Sequence, residues 1–143
     1  MRGFVVIELI IVIAFVVILS ALAWPFYKGI IARTPVENTA RDVVEVLRRA
    51  QTKAHGSEMN STWGVHFEND RFVLFKGASW VSRDSAFDEL QVAPGNTTLG
   101  SSPTDIIFEK NGTTSSDGTV TISGAGTITK TISITREGVI EIL

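Results

Sequence analysis

The feature that most constrains this chain is the apolar run of residues 3–25. Residues 4–23 contain one ionisable side chain, Glu8, and are otherwise apolar or small. A helix of about 20 residues is about 30 Å long, which matches the hydrocarbon core of a bilayer. Arg2 precedes the run, and positive charge on the short side favours a cytoplasmic amino terminus. The run therefore predicts a membrane-spanning helix, with the rest of the chain outside the cytoplasmic membrane.

Glu8 is the residue in this run that needs a physical explanation. An ionised carboxylate inside hydrocarbon costs a few kcal/mol or more, and such a residue usually has a partner and a function. Because Glu8 is close to the amino end of the helix, it can instead extend to the headgroups or meet the positive end of the helix dipole. Its position alone leaves these alternatives open.

The flanking residues indicate which explanation applies. Gly3 and Phe4, then Glu8, then an aliphatic helix ending at Pro25 resemble the class III signal of type IV prepilins and type II secretion pseudopilins. The resemblance implies that a prepilin peptidase cleaves after Gly3 and methylates the new amino terminus at Phe4. It also implies that Glu8 is the assembly glutamate and that Pro25 occupies a characteristic family position. One departure is Val5-Val6, where Thr-Leu is commoner.

This resemblance gives Glu8 a specific partner. Cleavage leaves a charged amine on Phe4, and in a helical stack that amine can approach Glu8 of a neighbouring subunit. Each charge is costly alone in an apolar filament core and much less costly as a pair. The implied partners are the peptidase, other pilin or pseudopilin subunits, an inner-membrane assembly platform and membrane lipid. No cofactor and no metal are expected.

A different interpretation of the same run is an ordinary signal peptide. Ala21-Leu22-Ala23 is an A-x-A triplet, so cleavage before Trp24 would release a secreted soluble protein. Against this, the run is longer than the usual apolar region of about 7–15 residues, and it contains Glu8. The amino terminus of the mature chain distinguishes the two interpretations, because it is Phe4 in one and Trp24 in the other.

The composition sets further limits. The 143 residues suffice for one compact domain after the leader and the membrane helix. A net charge of -2 gives no general attraction to nucleic acid or anionic lipid. The absence of cysteine excludes disulfides, a thiol nucleophile and cysteine-ligated metal.

The helix is expected to continue, bent, from about Phe4 to about His55. Residues 34–37, Thr-Pro-Val-Glu, form a capping box that either restarts the helix or marks a second bend in it. Beyond it, apolar residues recur every three or four positions, and Gly56 is a plausible stop. The charged residues on the other faces are expected to be solvated, with a filament contact as the alternative; they are Arg41, Asp42, Glu45, Arg48, Arg49 and Lys53.

The remainder of the chain has the pattern of β structure. Strands are expected at 62–67 and 71–75 as a hairpin, at 105–108, and at 119–123, 131–135 and 139–143. A short strand is expected at 80–81, a helical turn within 82–90, and exposed loops at 94–103 and 111–118. The fold class is therefore α+β, with a long bent N-terminal helix packed on antiparallel β-sheet. The expected segments are a leader (1–3), a transmembrane or assembly helix (4–24), its amphipathic continuation (25–56) and a β-rich domain (57–143).

The part beyond the apolar run is most similar to H-type pseudopilins and FimT-type minor pilins. The similar stretches are 47–54, 63–67 and 132–140. FimT-type proteins that bind DNA carry a basic motif near the carboxy terminus. Here residues 136–141 contain one basic residue, Arg136, and two acidic residues, Glu137 and Glu141. Phosphate binding needs clustered Lys or Arg, so nucleic acid is not an expected partner.

The sequence gives little support to an enzyme. His55 and His66 are the only histidines, and both are expected to be structural or exposed, because a catalytic or metal site needs several converging groups. The aromatic residues Trp63, Phe67, Phe72, Phe75 and Trp80 are expected in the core.

The function expected is therefore structural. The chain would be a subunit of a type IV pilus or of a type II secretion pseudopilus, held in the bacterial inner membrane with its C-terminal domain outside and then moved into the filament. The alternatives are a minor pseudopilin that primes a secretion pseudopilus, a DNA-binding minor pilin, and the secreted soluble protein.

Overall fold

The computed structural model describes residues 3–56, 60–125 and 128–143, and within the first helix it describes the side chains of residues 6–22 and 33–55. The predicted leader residues Met1 and Arg2 lie outside the described residues. The chain divides into two compact units, residues 1–32 and 33–143. The predicted division of the helix between residues 24 and 25 stays a prediction.

The first element, α1, is the α-helix Gly3–His55. Its backbone is helical through Pro25 and Pro35, so of the two alternatives for residues 34–37 the structure has the continuous helix. The helix ends where expected, because the N–H of Gly56 donates to the carbonyl of Thr52 at 2.9 Å and closes the last turn. Of the predicted apolar stripe of the second unit, Val44 is half-buried and the other members are buried, namely Val36, Ala40, Val43, Leu47, Ala50 and Ala54.

The unit 33–143 contains two antiparallel sheets of four strands each. The strands in chain order are β1 (Trp63–Phe67), β2 (Arg71–Lys76), β3 (Asp84–Val92), β4 (Thr97–Ser102), β5 (Asp105–Phe108), β6 (Gly118–Gly124), β7 (Thr129–Ile134) and β8 (Ile140–Ile142). The strand order is β3-β2-β1-β5 in the first sheet and β4-β6-β7-β8 in the second. Strands β3 and β5 are therefore the edges of one sheet, and β4 and β8 the edges of the other.

One hydrophobic core joins the helix stripe to one face of each sheet. In the first sheet the core residues include Trp63 and Phe108, which are register partners on β1 and β5. In the second sheet the alternation of residues places Val120 and Ile132 opposite each other in the core and Thr121 and Thr131 opposite each other on the other face. The predicted α+β fold, a long N-terminal helix with antiparallel sheet, is confirmed.

Most of the predicted strands are confirmed, and three predictions for the middle of the chain are wrong. The hairpin β1–β2, the strand β5 and the strands β6, β7 and β8 lie where they were expected, within one or two residues at their ends. Residues 80–81 form a turn instead of a strand. Residues 84–92 form the edge strand β3 instead of a helical turn, and residues 97–102 form the edge strand β4 inside the expected loop.

Candidate assembly surface

The unit 1–32 presents an apolar helical surface. The large apolar side chains of residues 6–22 are between 50% exposed, at Ile11, and 64% exposed, at Leu19. No glycine or proline interrupts residues 4–23, so each internal amide can bond within the helix and only side chains form the surface. Apolar surface of this extent marks an interaction site. No helix among the described residues is both long and apolar enough to cross a membrane.

Glu8 is an exposed carboxylate within this apolar surface. The residues one turn further along the helix, Ile11 and Val12, are apolar, and no ion pair to Glu8 forms among the described side chains. The other polar side chain of the segment, Ser20, is satisfied internally because its hydroxyl donates to the carbonyl of Val16 at 2.7 Å. Glu8 is thus a charge on an apolar helix with no partner among the described residues of its own chain.

The other predicted site residues belong to the same helix. Gly3 is the first residue of α1, and Phe4 and Pro25 follow within it. The side chains of Phe4 and Pro25 lie outside the described residues. Cleavage after Gly3 and methylation of Phe4 stay predictions.

The charged residues of the second half of α1 separate into two groups. Arg41, Asp42, Glu45 and Arg48 are exposed, as expected for a solvated face. Arg49 instead donates to Glu89 of β3 at 2.6 Å, and Lys53 lies 4.0 Å from the same carboxylate. The prediction of a solvated face is therefore wrong at Arg49 and Lys53, which are half-buried, because β3, which the sequence pattern did not reveal, brings Glu89 beside them.

His66 is half-buried and contacts neighbouring side chains. Its Nδ1 lies 2.5 Å from Oδ1 of Asp105, its register partner on β5. The ring of Trp80 stacks on it at 4.0 Å between centroids, and the guanidinium of Arg83 lies 3.5 Å from the Trp80 ring centroid. His55 is exposed at the end of α1.

Four of the five aromatic residues predicted in the core are buried, namely Trp63, Phe67, Phe72 and Phe75. Trp80 is only half-buried. Trp80 belongs to a turn, residues 77–83, that covers the first sheet on the side of His66 and Phe75. The Trp80 ring contacts the Phe75 ring edge-on, with 5.6 Å between the ring centroids. The prediction that Trp80 is a core residue is therefore wrong.

Comparison with solved structures finds the same fold. Two structures of the minor pseudopilin EpsH from the type 2 secretion system of Vibrio cholerae are similar to this chain. One is 12% identical, with a TM-score of 0.59, and the match covers 76% of this chain and 95% of EpsH. The other, a crystal structure, is 11% identical, with a TM-score of 0.60, and the match covers 78% of this chain and 94% of EpsH. This chain has the pseudopilin fold. No family model and no curated protein sequence matches it.

Proposed function

We propose that this chain is a structural subunit of a type II secretion pseudopilus or a related pilus-like filament. The observation that carries the proposal is the exposed apolar helix surface of residues 6–22, with Glu8 in it, on a chain that has the pseudopilin fold. The likeness to the minor pseudopilin EpsH favours a secretion pseudopilus over a pilus as the filament. It also favours a minor subunit over a major one.

The proposed life cycle follows from the amino-terminal sequence. The chain resides in the inner membrane through residues 4–23, with the unit that contains both sheets on the outer side. A prepilin peptidase cleaves after Gly3 and methylates Phe4, and an assembly platform then moves the subunit into the filament. The apolar sequence and the prepilin-like residues around Gly3 support this proposal.

In the filament, Glu8 would pair with the Phe4 amine of a neighbouring subunit. The surrounding surface of Val, Ile and Leu side chains binds any similar surface without a preferred axial position. A charge pair is favourable at only one position in such a surface, since either charge alone in apolar surroundings is costly. The pair would therefore determine the axial register of the subunits.

Glu8→Gln tests this role. The variant should be processed and should reach the membrane normally, while its incorporation into filaments falls about tenfold or more, equivalent to the loss of about 1.4 kcal/mol. Incorporation is measured as the ratio of sheared filament protein to membrane protein. Asp42→Asn is the matched control, since it neutralises an exposed acid in the second half of the same helix.

Two results would contradict the proposal. One is incorporation of Glu8→Gln equal to that of the wild type. The other is a mature chain that begins at Met1 or at Trp24, as determined by amino-terminal sequencing and mass spectrometry, because neither amino terminus provides the Phe4 amine.

A further inference from the structure

The unit 33–143 has two open clefts between α1 and the second sheet, at the end where the helix enters the unit. The first cleft is lined by Arg33 and Glu37 of the helix and by Lys130 of β7. The second is lined by Glu37, Arg41 and Lys130, so the two clefts share two residues. Because Arg33 is the first residue of this unit, we name the clefts together the entry surface.

The entry surface has an excess of positive charge. Its lining contains three cations, Arg33, Arg41 and Lys130, and one acid, Glu37. Arg33 and Arg41 are exposed, and Lys130 is half-buried. None of these three cations forms an ion pair with another described residue. The surface therefore fits an occupant with negative charge.

The other end of the unit has the opposite sign. The loops beside the carboxyl end of α1 are residues 109–117 and 136–137. These loops contain three acids, Glu109, Asp117 and Glu137, and two cations, Lys110 and Arg136. Since the whole chain also has a net charge of -2, the positive charge at the entry surface is local.

The sequence connects the entry surface closely to the apolar run. Phe26 and Tyr27 follow that run, and aromatic residues are enriched where hydrocarbon meets the lipid headgroups. Arg33 is six residues beyond Tyr27, and six residues span at most about 22 Å even in an extended chain. If the apolar run lies in a bilayer, the start of the entry surface is therefore close to a layer of phosphate groups.

The hairpin between β6 and β7 lies beside Arg33 and is compatible with the same surroundings. The N–H of Gly124 donates to the carbonyl of Ile128 at 2.9 Å and closes the hairpin. Ile128 lines the first cleft together with Arg33. Residues 124–128 include no charged side chain, so this hairpin can approach headgroups without removing a charge from water.

We propose that the entry surface binds the phosphate groups of anionic phospholipids in the outer leaflet of the inner membrane, before the subunit enters the filament. The inference rests on the proposed membrane residence of the chain and adds a second contact with that membrane. The planar guanidinium of an arginine can donate two hydrogen bonds to one phosphate, and a lysine binds phosphate as a point charge. Each such cation near an anionic surface favours binding about fivefold, the equivalent of about 1 kcal/mol.

Fluorescence of the full chain in lipid vesicles tests this contact. The sequence has no cysteine, so Thr129→Cys can carry a single fluorophore at an exposed position of the first cleft. A spin label on the lipid headgroups quenches the fluorophore when the entry surface lies against the bilayer. The vesicles are phosphatidylcholine alone or an equal mixture with phosphatidylglycerol. The ratio of quenched to unquenched fluorophore should be at least about fivefold higher in the anionic vesicles.

Charge substitutions in the labelled chain should change this ratio with a definite sign. In anionic vesicles Arg33→Gln and Lys130→Gln should each lower it about fivefold, and Glu37→Gln should raise it. Arg33→Lys should retain most of it. Arg48→Gln is the matched control, because it removes an exposed cation of α1 outside the entry surface. A fluorophore at Ser115→Cys, exposed in a loop at the other end of the unit, should not be quenched.

The outcomes separate this inference from the filament proposal. Quenching at residue 129 that needs anionic lipid and follows the charges of residues 33, 37 and 130 supports the entry surface. Equal quenching in both kinds of vesicle, or quenching that no substitution changes, overturns the inference alone. Competition by inorganic phosphate at constant ionic strength would assign the surface to a soluble anion, and dependence on the ratio of protein to lipid would assign it to a neighbouring subunit; either result overturns the inference. A chain that alkaline carbonate extracts from the vesicles overturns the membrane residence on which both proposals depend.

Discussion

The two halves of α1 have the same secondary structure and similar apolar residues, yet they differ in what covers those residues. In residues 6–22 the large apolar side chains are at least 50% exposed, whereas Val36, Val43 and Leu47 are 0% exposed. The first half is apolar on all faces, and the second is apolar on a single stripe. A stripe can be buried by one sheet of the same chain, but a helix that is apolar all round needs surroundings supplied by a membrane or by other chains. The comparison shows that the polar residues, rather than the apolar ones, distinguish a helix face that is buried within its own chain from one that stays exposed.

The largest predicted effect comes from replacing one leucine in each half of α1. The two substitutions should separate a role in stability from a role in filament incorporation. Leu47→Ala should lower the free energy of unfolding by about 2–5 kcal/mol, because it creates a cavity in the core. Leu19 is 64% exposed, so Leu19→Ala should change stability by less than about 0.5 kcal/mol and should instead reduce filament incorporation. Stability is measured on the full chain in detergent micelles by urea unfolding, followed by near-ultraviolet circular dichroism. Equal destabilisation by both substitutions would contradict the division of roles.

A smaller effect is expected at the end of the second half. The side-chain amide of Gln51 donates to the carbonyls of Gly112 and Gly138 at 2.9 Å each and so binds two loops to α1. Both glycines have φ of +82°, a conformation that other residues rarely adopt. Gln51→Ala should lower the free energy of unfolding by about 1–3 kcal/mol, because it leaves two carbonyls without this donor.

The matched control for that substitution is Gln91→Ala on the edge strand β3, which removes the same amide from another half-buried site. Hydrogen exchange should show faster exchange of the Thr114 amide, which donates to the carbonyl of Arg136 between the two loops, in Gln51→Ala only. If the two variants exchange at equal rates there, Gln51 does not hold the loops.

The sequence was sufficient to predict the helix and those strands in which the order of apolar and polar residues matches the buried and exposed faces. Residues 119–123 of β6 and 131–134 of β7 alternate strictly because one face lies in the core and the other carries hydroxyl groups. The buried stripe of α1 is equally regular, so both the helix and its buried face were predictable. The prepilin-like residues around Glu8 also indicate a candidate site, because their spacing is local in sequence, and its role stays a prediction.

The edge strands could not be predicted in this way, for a physical reason. An edge strand has one neighbour and wide exposure, so its sequence need not alternate. In β4 only Leu99 and Thr97 are buried, among glycine, serine and threonine residues typical of a loop. In β3, Glu89 lies on the same side as α1, where only the tertiary contact with Arg49 makes a charge acceptable.

The smallest predicted effect on stability comes from breaking the ion pair between Arg49 and Glu89. It tests directly what distinguishes the two halves of α1. The second half of α1 is joined to the first sheet by charges as well as by apolar contact. The Glu89 side chain is 42% exposed, so solvent screens the pair, and Glu89→Gln should cost about 0.2–1 kcal/mol. The loss should shrink in 1 M salt, where the Debye length is about 3 Å. Glu141→Gln, at an exposed acid on β8, is the control and should show no salt-dependent loss. Equal losses for both variants at low salt would mean that burial of the apolar stripe alone holds the helix to the sheets, and the two halves of α1 would then differ only in what covers their apolar side chains.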